Sequence, residues 1–390
     1  MSVKLKAKKK NLIKQIPFLD LKSQQNKIKS QIDMAIKQVL DHGKYIMGPE
    51  VFELEKKLAA YSNVTNVISC SSGTDALLMV LMAKNIGPGD AVFLPSFTYT
   101  ATPEVVAILG AVPVFVDVLF DTYNIDSESL IKSIDIAKQK GLKPKAIIAV
   151  DLFGQPSDYN SLKRIADENK LWILADAAQS YGAELLKKKV GKLAYATATS
   201  FFPAKPLGCY GDGGAIFTDD DELAEILKSI RLHGKGNHKY DNIRIGLNAR
   251  LDTIQAAILL EKIKIFDDEL KERQKIANYY NKMLKNIVQV PYVILGAKSA
   301  WAQYTIQLPN KISRSILIEE LKESGIPSMI YYQKPLHLQK AYKKFPKSIS
   351  LKVSEEVSGK VLSLPMNRKY SSYIIEKFSD IIEKLLKINY

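Results

Sequence analysis

From about residue 65 the chain alternates short apolar runs with stretches of helical period. NVISC (66–70) leads into SSGTDALLMVLMAKN, AVFLPS (91–96) into TPEVVAILG, VPVFVDV (112–118) into SESLIKSIDIAKQK, AIIAVDLFG (146–154) into SDYNSLKRIADEN, and LWILAD (171–176) closes the series. Nearly continuous apolar strands are those of a parallel sheet, because crossover helices cover it on both faces. The pattern predicts an α/β domain of repeated βα units around a mostly parallel sheet. After about residue 220 it changes to long amphipathic helices, near 220–232 and 250–285, the second without Gly or Pro. Two strand-like pieces follow, AQYTIQL (302–308) and IPSMIYY (326–332). The expected division is a basic, disordered tail over 1–16, a large domain over 17–265 and a smaller α+β domain over 266–390.

Composition then narrows the function classes. The 390 residues are 46% hydrophobic, enough for a sizeable core, and no apolar run reaches the ~18 residues of a membrane span. The N-terminus, MSVKLKAKKKNLIKQ, lacks the apolar core and cleavage site of a secretory signal. Cys70 and Cys209 form neither a disulfide framework nor a zinc spacing. A cytoplasmic, metal-free protein is expected, with no membrane partner. The net charge of +15 invites a nucleic-acid reading. Beyond the first ten residues, however, the lysines are spread through amphipathic patterns such as Leu270 to Lys285, which reads as a solvated surface. No nucleic-acid partner is expected, while a pull on anionic small molecules remains.

Open α/β sheets bind ligands at the carboxyl ends of their strands, and these ends carry most of the chemistry in the chain. In SSGTDAL, Gly73 and Thr74 stand where a strand gives way to a helix, so amides and a hydroxyl can face an anion; a plain helix cap is the alternative. Asp176 ends the very apolar LWILAD, where a carboxylate is costly unless something positive faces it. A protonated pyridine nitrogen is one such partner and a helix N-cap the other reading. Gln179, three residues on, is placed to bond a ring substituent from the same side. Lys205 lies in SFFPAKPLGCYGDGGA, stiffened by Pro203 and Pro206 and turned by glycines. A lysine held so is a candidate imine-forming nucleophile, against the ordinary reading of a solvated lysine. The segment lacks the G-x-G-x-x-G of a dinucleotide site.

Six motifs in this order, SSGTDAL, the tyrosine of PSFTYTAT, DLFGQPSD, ADAAQSYGA, SFFPAKPLGCYGDGGA and GLNARLDTIQAA, resemble the DegT/DnrJ/EryC1/StrS family over roughly residues 17 to 370. These are pyridoxal-phosphate enzymes of the aspartate-aminotransferase fold (fold type I) that act on nucleotide-linked keto-sugars. The resemblance implies that Lys205 is the catalytic Schiff-base lysine and proton shuttle. It implies that Asp176 pairs with the pyridine nitrogen, Gln179 meets the ring hydroxyl and Tyr99 stacks on the ring. Gly73, Thr74 and Ser200 would hold the phosphate, joined by Asn248 from a second subunit, hence a homodimer with composite sites. Tyr331, Tyr332 and His337 are candidate sugar contacts, His337 with a structural alternative. Arg250 would meet a substrate anion or pair within the dimer interface. Gln333 stands where the family usually shows proline.

Some members carry histidine in place of the lysine and are dehydratases; this chain keeps the lysine, which implies amino transfer. The family's usual donor is glutamate. AKPLGCYGDGGA looks most like members acting at the sugar's third carbon, especially those making 3-amino derivatives of UDP-N-acetylglucosaminuronic acid for surface polysaccharides. The alternatives are amination at carbon 4 of a 4-keto-6-deoxy sugar, and a cofactor-binding sensor without turnover.

Overall fold

The computed structural model describes residues 16–238 and 240–388. Residues 1–15, most of the expected basic tail, lie outside them. Ile16 is buried, and its N–H donates to Gly325 O.

Three helices open the described chain, α1 (Leu21–Lys27), α2 (Lys29–His42) and α3 (Pro49–Ser62). The alternation then begins: β1 (Asn66–Cys70), α4 (Gly73–Ala83), β2 (Asp90–Pro95), α5 (Ala101–Ile108), β3 (Val112–Val116), α6 (Ser127–Gln139), β4 (Lys143–Val150), α7 (Tyr159–Asn169) and β5 (Trp172–Asp176). A small ribbon pairs β6 (Glu184–Leu185) with β7 (Lys188–Lys189), and β8 (Ala196–Ser200) and β9 (Gly214–Thr218) complete the main sheet. Its strand order is β1-β9-β8-β5-β4-β2-β3. The pairs β3/β2, β2/β4, β4/β5 and β5/β8 are parallel, and β9 runs antiparallel to both its neighbours.

Side chains alternate across a strand, and both faces of this sheet are dry. Val92, Leu94, Ile148 and Leu174 pack under α4, α5 and α8 (Asp221–Ile230), while Ala91, Phe93, Ile147 and Ile173 pack under α6 and α7. That is why the strands read as unbroken apolar runs. VPVFVDV stops as a strand at Val116, because Asp117 turns away to accept from the N–H groups of Val353 (3.1 Å) and Ser354 (2.8 Å).

The helix expected over 250–285 is two helices. α9 (Thr253–Lys262) passes through a 3-10 turn, Ile263–Ile265, into α10 (Phe266–Leu284). Asp267, Asp268 and Glu269 crowd the first turn of α10, where acids complement the positive end of a new helix. Beyond it, β10 (Ala297–Lys298) joins the β6/β7 ribbon, and β11 (Tyr304–Gln307) pairs antiparallel with β12 (Val361–Leu364). α10, α11 (Arg314–Glu323) and α13 (Ser371–Ile388) surround this pair with a second core that includes Ile16, Tyr280, Leu321, Leu362 and Phe378. α12 (Lys352–Lys360) leads into β12. IPSMIYY forms no strand: only Met329 pairs, with Ser363, and Pro327 has no N–H to extend a ladder. Among the described residues no helix is long and apolar enough to cross a membrane.

Candidate active site

The site is built where β1, β8 and β5 end, with the start of β9 lying between β1 and β8. At the end of β1, Ser72 caps α4, its Oγ accepting from Asp75 N–H at 3.0 Å. Gly73 is the first residue of the helix. A Cβ added there would stand 2.7 Å from Ser200 Cβ and 3.3 Å from Ser200 Oγ. Gly73 and the end of β8 therefore approach within a distance that no side chain permits. The N-terminus of α4 is thus pressed against Ser200, whose Oγ accepts from Phe202 N–H at 3.2 Å, and a helix N-terminus is a place suited to an anion.

At the end of β5, Asp176 is buried. Its Oδ2 accepts from Thr102 Oγ1 at 2.9 Å and its Oδ1 from Ala178 N–H at 3.2 Å. Burial pushes this carboxyl above its ordinary range, opposed by those two hydrogen bonds and by the charge of Lys205. Lys205 is the mirror case: burial pulls its ammonium below the ordinary lysine value, and Asp176 pushes it back up. A lowered amine pKa is what a nucleophilic lysine requires. Among the described residues no hydrogen bond or ion pair holds Lys205 Nζ. Its backbone is fixed instead, with Lys205 N–H donating to Phe202 O at 2.8 Å. Gly208 permits the tight return, since a Cβ there would meet Pro203 O at 2.6 Å.

Gln179 is buried below the same rim. Its Oε1 accepts from Phe153 N–H at 2.7 Å and its Nε2 donates to Tyr332 Oη at 3.2 Å. Tyr332 thus enters from the C-terminal part, its ring 6.3 Å from that of the exposed Tyr99. Tyr331 is half-buried beside it. His337 lies deeper: Ser96 Oγ is 2.6 Å from Nδ1 and Glu355 Oε1 is 3.1 Å from Nε2. One tautomer satisfies both, with Nε2–H donating to the carboxylate and Nδ1 accepting from the hydroxyl. Both nitrogens are committed within the protein, the structural one of the two readings open from sequence.

Two expected residues stand apart. Asn248 is exposed in the segment between α8 and α9, and Arg250 follows it, half-buried, with a buried Nε that has no partner. Within this chain no hydrogen bond joins either to Lys205, Asp176 or Ser200. Sequence reasoning missed Thr102, which holds Asp176 from the first turn of α5, just past the end of β2. It also assigned nothing to Asp151. That carboxylate is fully buried and accepts from Ser157 N–H (2.8 Å), Tyr159 Oη (2.9 Å) and Ser180 Oγ (2.8 Å), tying the two loops that flank Gln179.

A helix N-terminus pressed on Ser200, a buried carboxylate and a buried amine at strand ends of one α/β sheet are the arrangement of a fold type I pyridoxal-phosphate enzyme. The chain belongs to the DegT/DnrJ/EryC1/StrS aminotransferase family, whose profile matches residues 26–385. It is 46% identical over 353 residues to a UDP-2-acetamido-2-deoxy-3-oxo-D-glucuronate aminotransferase of Pseudomonas aeruginosa, covering 90% of this chain and 95% of that one. Among solved structures it resembles a family aminotransferase from Brucella abortus, with a TM-score of 0.92 and 51% identity over 94% of this chain and 99% of that one. A Bacillus subtilis protein crystallised with bound pyridoxamine phosphate follows at 0.87 and 29%, over 96% and 87% of the two chains. The protein is a pyridoxal-phosphate-dependent nucleotide-sugar aminotransferase.

Proposed function

We propose that the protein transfers an amino group from glutamate to carbon 3 of a UDP-linked 2-acetamido-3-oxo-glucuronate, as a homodimer in the cytoplasm. The similarity to the Pseudomonas aeruginosa enzyme across nearly its whole length carries the choice of sugar. The unpartnered Nε of Arg250 supports it, because a guanidinium with donors to spare suits a uronate carboxylate. Two buried free thiols suit a reducing compartment.

The residues fit the cofactor. Gly73, Thr74 and Ser200 would hold its phosphate, Asp176 its ring nitrogen and Gln179 its ring hydroxyl, with Tyr99 against its face. Pyridoxal phosphate, when bound, supplies an electron sink for the pair left as a carbon loses its proton. Asp176 would face the ring nitrogen, its two oxygens held in place by Thr102 Oγ1 and Ala178 N–H. Lys205 Nζ would carry the proton between the amino-bearing carbon and the carbon on the far side of that nitrogen, and burial, by lowering its pKa, keeps more of the amine in the unprotonated form that can accept it. Tyr331 and Tyr332 close over the sugar, and His337 fixes their segment to Ser96. Asn248 and Arg250 serve the partner's site. The exposed Tyr240, Ile243 and Ile245 beside them form an apolar surface suited to a second copy.

Purified protein incubated with glutamate and UDP-2-acetamido-3-oxo-glucuronate should yield 2-oxoglutarate and a sugar bearing nitrogen on carbon 3 by NMR. Amination of 4-keto-6-deoxy sugars alone would overturn the assignment.

A further inference from the structure

The segment that carries Lys205 leaves β8 at Phe201 and returns to β9 at Gly213. Its base is closed by backbone bonds, Phe201 N–H to Gly213 O and Cys209 N–H to Phe201 O, each 2.7 Å. Its far turn is held from outside by α9. Gln255 Oε1 accepts from Tyr210 N–H at 2.9 Å. About two turns further along the helix, the Lys262 ammonium lies 5.2 Å from the centroid of the Tyr210 ring. Lys262 is 2% exposed, yet it forms no ion pair among the described residues.

A charge withdrawn from water must be held by whatever faces it. Here those groups are the π face of Tyr210 and the C-terminal end of α9, both of which favour a cation. The charged and titratable neighbours are Glu269 and Arg273 on α10 and Cys209 on the lysine segment itself. Burial pushes Lys262 down to about 8, with Glu269 and Cys209 pulling it upward and Arg273 adding to the fall. The Tyr210 hydroxyl is buried with no partner, so Tyr210 is placed by its N–H and its ring face. An apolar residue of similar shape at position 262 would serve packing at least as well. The charge therefore calls for another reason.

We propose that Lys262 is a positioning residue for the reaction: its ammonium, seated on Tyr210, fixes the turn after Lys205 and with it the reach of the Lys205 amine. Helix α9 thereby ties that amine to the segment of Asn248 and Arg250, which leads directly into the same helix.

The test uses holoenzyme carrying Lys262→Met, Lys262→Arg or Tyr210→Leu. Lys262→Met should lower kcat about tenfold with little change in KM, since a small misplacement of a reacting group is costly. It should shift the pH profile of kcat and speed amide hydrogen exchange at Cys209 and Tyr210. Lys262→Arg should restore most of each. The lowered pKa also sets a sign. A lysine whose folded value, about 8, lies below the ordinary 10.5 costs stability in full below about pH 8, and the cost fades between there and 10.5. Lys262→Met should accordingly melt no lower than wild type at pH 7, whereas a purely structural lysine would give a less stable protein. If Lys262→Met fails to fold, Tyr210→Leu, which removes the ring and keeps the charge, should show the same exchange and kcat effects. Unchanged kcat, pH profile and exchange in the variant that folds would overturn the proposal. The exchange readout needs no sugar, so failure of the substrate assignment leaves it standing.

Discussion

Two segments flank β9 and α8, and both carry residues assigned to the site. The first, 201–213, is closed on itself by backbone hydrogen bonds, pinned by Gln255, and folded too tightly at Gly208 to admit a Cβ. The second, 233–248, presents Tyr240, Ile243 and Ile245 to solvent, two of them 85% exposed, before it reaches Asn248. The first segment needs nothing from outside the chain to hold Lys205 in place. The second turns these apolar side chains outward, as a surface that meets a second copy of the chain would. On the proposed reading, one half of the site is built by folding and the other half by association.

The largest effect expected from breaking this contrast lies in the self-contained half. Lys205→Ala should cut turnover by about 10²–10⁴-fold, the usual worth of a placed acid–base group, while leaving the sedimentation behaviour of the protein unchanged. A shift to monomer in that variant would show that the two halves are not separate. Next comes the outward half. Ile245→Glu should weaken self-association about 30-fold, the loss typical of one central interface residue, as read by sedimentation equilibrium. An unchanged association constant would remove this surface from the interface. The smallest signal is also the sharpest. Lys205→Ala and Asn248→Ala protomers, each impaired alone, should regain about a quarter of wild-type activity when unfolded together and refolded. Half of a random mixture is heterodimer, and each such dimer has one intact site. No recovery on mixing would mean that Asn248 serves its own chain.

The parallel strands were legible because both faces of the sheet are covered, so Ile68, Phe93, Ile148 and Leu174 appear in runs that need no periodicity to be seen. β9 was harder: GAIFT follows a glycine-rich turn and reverses direction without a crossover helix, so no βα rhythm announces it. The break between α9 and α10 had a local signal, the acids of FDDE at the start of a helix, hidden inside a stretch free of Gly and Pro. At the site, Asp176 and Lys205 stood out because charged residues next to buried runs require a reason. Thr102 and Asp151 did not, since their importance lies in contacts 74 and 29 residues away along the chain, to Asp176 and Ser180. Lys262 was hidden among dozens of solvated lysines, and only the folded packing of α9 against Tyr210 distinguishes it.

The contact between Ser96 and His337 spans 241 residues of sequence. A ribosome adding about 5–20 residues per second needs roughly 12–48 seconds to deliver the histidine after the serine has emerged. Throughout that interval the end of β2 waits without its closing partner, and Tyr332, which completes the hydrogen bonding of Gln179, has not yet been made. Maturation of this enzyme is therefore a late event in translation. A transcript cut short anywhere before the codons of this segment yields a chain that has the lysine and the aspartate but not the site.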